Sequence, residues 1–143
     1  MIKELEDFDV DEVMDIWLRT NIEAHSFIPK QYWINNFDIV KNQYIPASKT
    51  FVYMDGEAVR GFISVMDNLF IGALFVSQDY QGKQIGRQLM DYCKGQYPKL
   101  ELCVYKENTK ALNFYKRCDF AIKSEQINKD SGFLEYVMNW TKK

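Results

Sequence analysis

Leu69-Phe70-Ile71-Gly72-Ala73-Leu74-Phe75-Val76-Ser77-Gln78-Asp79-Tyr80-Gln81-Gly82-Lys83-Gln84-Ile85-Gly86-Arg87-Gln88-Leu89 decides the fold of this chain. Its first eight residues are apolar except Gly72, and continuous apolarity predicts a strand buried on both faces of a sheet. A polar, glycine-bearing loop follows. Ile85, Leu89 and Cys93 then recur at helical spacing, which predicts a helix ending near Gly95. Upstream, Thr50 to Met54 and Ala58 to Met66 read as strands, joined at Asp55-Gly56 and followed by a second turn at Asp67-Asn68. Three antiparallel strands are expected, the last of them central.

Further out the period changes to that of helices. Asp9 can cap a first helix, with Glu12 as its reciprocal partner. Val10, Val13, Met14, Trp17 and Leu18 share one face, and the helix should end near Thr20 or Asn21. Ala24 to Pro29 is a break, because Pro29 disfavours a helical residue before it. A second helix is predicted from Lys30 to about Tyr44, stopped by Pro46. Downstream come a strand at Leu100 to Tyr105, a helix from Asn108 or Thr109 to Arg117, and a closing pair of strands, Phe120 to Ile127 and Phe133 to Asn139. The order is α-α-β-β-β-α-β-α-β-β. It predicts an α/β fold with a mixed sheet and helices on its faces.

Composition narrows the function classes. At 143 residues the chain has the length of one domain, expected to span residues 1–143. Eighteen Lys and Arg against 20 Asp and Glu leave a formal charge of −2, which speaks against a broad phosphate-neutralising surface and so against nucleic-acid partners. Aromatic residues make up 15% of the chain, enough to build a core rather than a disordered segment. Three widely spaced cysteines and a single histidine support neither a metal site nor a disulfide framework. The acidic N-terminal residues do not resemble a signal peptide, and no run approaches the ~18 apolar residues of a membrane span. A soluble cytoplasmic domain with no membrane partner is expected.

The junction at residues 76–87 carries the chemistry. A helix N-terminus presents unpaired N–H groups and a partial positive charge. Glycines on the approach let backbone come close to an anion. Such a junction can hold a pyrophosphate, with Lys83 and Arg87 adding charge, or it can be a plain strand-to-helix turn. Neither a P-loop nor a dinucleotide-binding glycine pattern is present.

Tyr80-Gln81-Gly82-Lys83-Gln84-Ile85-Gly86-Arg87 resembles the acyl-CoA signature of the GNAT N-acetyltransferases. Asn108-Thr109-Lys110-Ala111-Leu112-Asn113-Phe114-Tyr115-Lys116-Arg117-Cys118-Asp119-Phe120 resembles a second segment of the same family. The two matches stand in the family's order with a strand between them. Trp17, Ala24 to Ile28 and Met138-Asn139-Trp140 further resemble small bacterial members, protein-lysine acetyltransferases among them. Gln84 and Asp119 stand where the family usually has glycine. A left-handed backbone at such a position costs roughly 1 kcal/mol, whereas a negative φ is tolerated.

The resemblance implies a mostly antiparallel sheet with splayed central strands. It also implies an acetyl-CoA co-substrate and no metal. Leu74, Phe75 and Val76 would pair with the pantetheine arm, with the amide near Leu74 polarising the thioester carbonyl. The backbone from Gln81 through Gly82, Lys83, Gln84, Ile85 and Gly86 to Arg87 would hold the pyrophosphate. Asn108 would contact the pantetheine, and Tyr115 would protonate the departing thiolate. The general base is open. The strand position most like the glutamate of many relatives is Cys103, a poor base and an unsupported nucleophile. His25 is either a group lining the acceptor cleft or one that packs its loop. Phe70 is either an acceptor-side residue or core.

The implied function is acetyl transfer to a primary amine by direct attack in a ternary complex. Protein lysines or peptide amines are the expected acceptors, and a monomer or homodimer is expected. A small-molecule amine acetyltransferase and a catalytically silent CoA-binding module are the alternatives.

Overall fold

The computed structural model describes residues 1–143. A seven-stranded sheet runs β1 (Ile2–Glu4), β2 (Lys49–Asp55), β3 (Ala58–Met66), β4 (Phe70–Val76), β5 (Lys99–Tyr105), β7 (Leu134–Thr141) and β6 (Ala121–Ile127) from edge to edge. Every neighbouring pair is antiparallel except β4 with β5. The helices are α1 (Val10–Ala24), α2 (Lys30–Ile39), α3 (Ile45–Ala47), α4 (Ile85–Lys94) and α5 (Thr109–Arg117). The expected mixed α/β architecture is the observed one, with the three-residue β1 added at the edge.

Two cores lie on the two faces of this sheet. Ile63, Leu89, Met90, Leu100 and Leu102 pack under α4 and α5. Met14, Trp17, Trp33, Val52 and Phe62 pack under α1 and α2. Strands β2 and β3 feed both: Phe51 and Ile63 point to the first core, Val52 and Phe62 to the second. Each such fully buried side chain contributes roughly 1.5–3 kcal/mol of transfer free energy, so both helical layers are firmly attached.

Details in three regions, α1, the segment around Pro46 and β4, differ from the pattern-based expectation. Asp9 closes a 3-10 turn (Asp7–Asp9) and does not cap α1 through its side chain. Lys3 draws its carboxylate back at 2.9 Å, and Glu12 instead accepts the Val59 N–H at 3.1 Å, tying α1 to β3. Helix α1 also continues to Ala24, past the expected end. Pro46 does not end the second helix. Residues Val40–Tyr44 widen into a π-helical turn, and Pro46 sits inside α3. A wider turn accommodates a residue that cannot donate the usual N–H.

The third difference positions the site. Strand β4 is not buried on both faces: Ile71 alone is fully buried, and Ala73 to Val76 are half-exposed. Opposite Ser64–Val65 the register jumps from Ala73 to Ile71, so Gly72 is the extra residue of a bulge. Pairing with β5 consists of Phe70 with Glu101 and Ile71 with Leu102, and stops there. A bulge bends its strand and increases local twist. Beyond Gly72, β4 turns from β5 and its apolar side chains line a wedge between them.

Candidate active site

The wedge is a cleft of about 840 Å³ that reaches both faces of the sheet. Its floor is the split between β4 and β5. On the α4–α5 side it is walled by Ile85, Gly86, Phe114 and Tyr115, and on the α1–α2 side by Trp17, His25, Trp33 and Tyr105. Residues Leu74, Phe75 and Val76 present a strand edge with no β5 partner to this cleft.

At one end, the Gly82–Arg87 loop enters α4. Gly82 has φ +78°, and a side chain there would meet nothing within 4 Å, so the loop is open on that side. Gln84 is left-handed at φ +67°, and Asp119 likewise at φ +68°. Both therefore incur the strain of roughly 1 kcal/mol that a glycine avoids. The first turn bond of α4 runs from the Gln88 N–H to the Gln84 carbonyl at 3.0 Å. The N–H groups of Ile85, Gly86 and Arg87 are left without intrahelical acceptors, an arrangement able to accept an anion. Gly86 also sets a packing distance: a Cβ there would lie 3.4 Å from Phe114 Cζ, in contact with α5.

The cationic side chains of the loop are less free than the sequence implies. Arg87 donates to the Arg117 carbonyl at 3.1 Å and pairs with Asp91 at 3.5 Å. Lys83 lies 5.0 Å over the Tyr80 ring. Gln81 donates to the Val76 carbonyl at 3.0 Å and accepts from Lys110 at 3.1 Å, which pins the loop to the end of β4. The backbone N–H groups are donors left over for a pyrophosphate, and Lys83, with neither a hydrogen bond nor an ion pair, keeps its ammonium free beside them.

Tyr115 faces the cleft from α5, with Phe114 at 5.5 Å and Phe120 at 6.1 Å between ring centroids. Burial pushes its phenol well above the ordinary value, with the nearby Cys118 adding to the shift, so the hydroxyl keeps its proton. Phe70 lines the cleft and belongs to neither core cluster.

His25 and Asn108 meet across the cleft. The His25 Nδ1–H donates to the Asn21 carbonyl at 3.1 Å, and Nε2 accepts from Asn108 Nδ2 at 3.1 Å. Asn108 caps α5 with its other amide end, accepting the Ala111 N–H at 3.2 Å. The imidazole stacks on Trp33 at 5.1 Å and meets the edge of Tyr105 at 5.1 Å. Burial lowers its pKa to about 4, the Asn21 contact opposing weakly, so the ring is neutral near pH 7. With both nitrogens committed, this geometry favours packing and orientation of Asn108 over proton abstraction.

Cys103 lines the cleft with its thiol pushed up to about 11 by burial and by Glu135 and Glu101. A thiol that keeps its proton is a poor nucleophile, which disfavours an acetyl-cysteine route. One residue that sequence reasoning missed is Glu135 of β7, buried and lining the cleft. Only the β5–β7 register, with Tyr105 opposite Glu135 and Cys103 opposite Val137, puts it beside Cys103.

The sequence model of the acetyltransferase (GNAT) family matches residues 10–120. The chain belongs to that family. It is an acetyl-CoA-dependent acyltransferase, as the two sequence segments implied. This acetyltransferase is 29% identical over 140 residues to the peptidyl-lysine N-acetyltransferase YiaC of Escherichia coli, covering 98% of this chain and 96% of that one. The solution structure of apo YjaB from Escherichia coli superposes with a TM-score of 0.86 at 22% identity, covering 100% of this chain and 98% of that one. The PaiA N-acetyltransferase of Thermoplasma acidophilum, solved with coenzyme A, superposes with a TM-score of 0.79 at 16% identity, covering 99% and 98%. No group of His, Cys, Asp and Glu side chains in the acetyltransferase is arranged to hold a metal. No helix is long and apolar enough to cross a membrane.

Proposed function

We propose that residues 1–143 act as one catalytic domain that acetylates lysine side chains of proteins or peptides. The observation that carries this is the cleft through the sheet, opened by the departure of β4 from β5 after Ile71. A cleft open to both faces lets two substrates approach one point from opposite sides, as direct transfer in a ternary complex requires.

Acetyl-CoA supplies the activated acyl group when bound, and this chain's residues position it. The free edge at Leu74 to Val76 holds the pantetheine arm as an added strand would. The Leu74 amide aims at the thioester oxygen, where negative charge develops. The N–H groups from Gly82 to Arg87 hold the pyrophosphate, and Asn108 offers its remaining N–H to the arm. Tyr115 donates its hydroxyl hydrogen to the sulfur as the thiolate leaves. Phe70, Trp33 and Tyr105 line the acceptor side with apolar surface suited to the methylenes of a lysine. Tyr32 donates to Asp130 at 2.6 Å and Tyr105 to Ser131 at 2.8 Å, so the β6–β7 hairpin is tied over this side as a roof. A narrow, roofed approach suits one extended side chain. The name and near full-length similarity of YiaC support the same acceptor class.

Thiol release from acetyl-CoA against lysine peptides, spermidine and an aminoglycoside tests the acceptor. Lysine peptides are expected to give the highest kcat/KM, with the acetyl group on Nε by mass spectrometry. Turnover confined to the small amines contradicts it.

A further inference from the structure

The acceptor side of the cleft contains a buried charge with no cation. Glu135 is 6% exposed and takes part in no ion pair. Burying a carboxylate without a cationic partner is costly, and proteins normally compensate it. Here the compensation is two neutral donors: Gln126 Nε2 at 2.7 Å from Oε2 and Asn128 Nδ2 at 3.1 Å from Oε1. Each carboxylate oxygen can accept a second hydrogen bond. No cation lies within ion-pair distance of it. Cys103 and Tyr105 of β5 carry thiol and phenol groups that burial and the Glu135 charge keep protonated. Glu101 on β5 is a second carboxylate and is paired with Lys123 at 3.8 Å. Lys129 lines a small pocket behind Glu135 and forms no ion pair with it. The carboxylate is thus held in place by neutral donors at the wall of the cleft and is short of one cation.

We propose that Glu135 is the anionic end of the acceptor channel, holding the incoming lysine ammonium and taking one of its protons. This rests on the lysine-acetylation reading above. The Glu135 carboxylate accepts a proton from the ammonium, and the freed lone pair forms the C–N bond at the thioester carbon. The C–S bond breaks, and Tyr115 gives its proton to the thiolate. The attacking nitrogen loses a second proton, which restores Tyr115, while the proton on Glu135 leaves to water. An ammonium thus becomes an amide, with one proton on the CoA thiol and one released.

Glu135→Gln keeps the volume: Asn128, held by the Asp130 and Ser131 N–H groups on its Oδ1, can still donate to the new amide oxygen, and Gln126 can turn its amide to accept from the new N–H. Its kcat/KM for a lysine peptide is expected to fall by about 10²-fold, the usual scale for a lost general base. Coenzyme A affinity by calorimetry is expected to stay unchanged. The same peptide carrying an aminooxy analogue of lysine, whose nitrogen is uncharged at neutral pH, should lose far less. Glu135→Asp should recover part of the lysine activity. Equal loss on both acceptors, or loss of coenzyme A binding in both variants, assigns Glu135 a structural role and overturns the inference. So does full lysine activity in the Gln variant. If the wild-type protein itself acetylates no lysine peptide, the acceptor reading fails rather than this one.

Discussion

Tyr115→Phe is expected to lower kcat by about 10²- to 10³-fold, the range lost when a positioned proton donor is removed. Coenzyme A affinity should be unaffected. The substitution leaves the ring against Phe114 and Phe120, and no hydrogen bond contributes to the environment of the hydroxyl. Stability should therefore change little, and the loss should sit in kcat. The raised pKa sharpens the chemistry. A phenol that ionises above 10 cannot fully protonate a solvated thiolate whose conjugate acid lies near ~8.5. In the proposed role Tyr115 would act first as a hydrogen-bond donor to the developing charge, and transfer would complete only where the cleft keeps the thiolate from water. Steady-state kinetics from pH 6 to about 9, within the range where the phenol stays protonated, check this. A Phe variant with wild-type turnover throughout removes Tyr115 from the role.

The second large effect concerns stability. His25 has a folded pKa of about 4 against an ordinary 6.5. The unfolded chain therefore binds a proton at this site between those values while the folded protein does not. Stability is full above pH 6.5 and falls as pH drops towards 4, by up to about 3 kcal/mol from this group. Protonation would also turn Nε2 into a donor facing the Asn108 N–H, so the cap of α5 should loosen with it. His25→Gln is expected to lose some stability at pH 7, through the stacking on Trp33, but to be less sensitive to acid by that same amount. Urea unfolding of both proteins at pH 7 and near pH 4.5 measures the difference. Identical acid sensitivity in the two contradicts it.

The fold was legible where the pattern was local. The strand, glycine loop and helix from Leu69 to Leu89 and the Asn108–Phe120 segment each carry their signals within a few residues, and α4 and α5 start and end close to expectation. Elements set by distant partners were not legible. The three residues of β1 have too little pattern of their own and exist through pairing with Phe51 to Tyr53. Asp9 is turned from capping by Lys3, and Pro46 is absorbed by a π-helical turn. The apolarity of Leu74 to Val76 was misread as double burial because the same composition suits the wall of a cleft. The neutral state of His25 depends on Trp33, Tyr105 and Asn108, residues up to 83 positions away. Glu135 carries no local signal within the closing strand, and only the pairing of β5, β7 and β6 turns it onto Cys103 and Gln126.

The central claim is that the split between β4 and β5 and the loop entering α4 together hold acetyl-CoA. Amide hydrogen exchange with and without coenzyme A tests it most directly, because the proposed contacts are backbone N–H groups. Slowed exchange is expected at Leu74 to Val76 and from Gly82 to Arg87, with little change in β6. Binding that leaves those amides exchanging as freely as in the unliganded protein would contradict it.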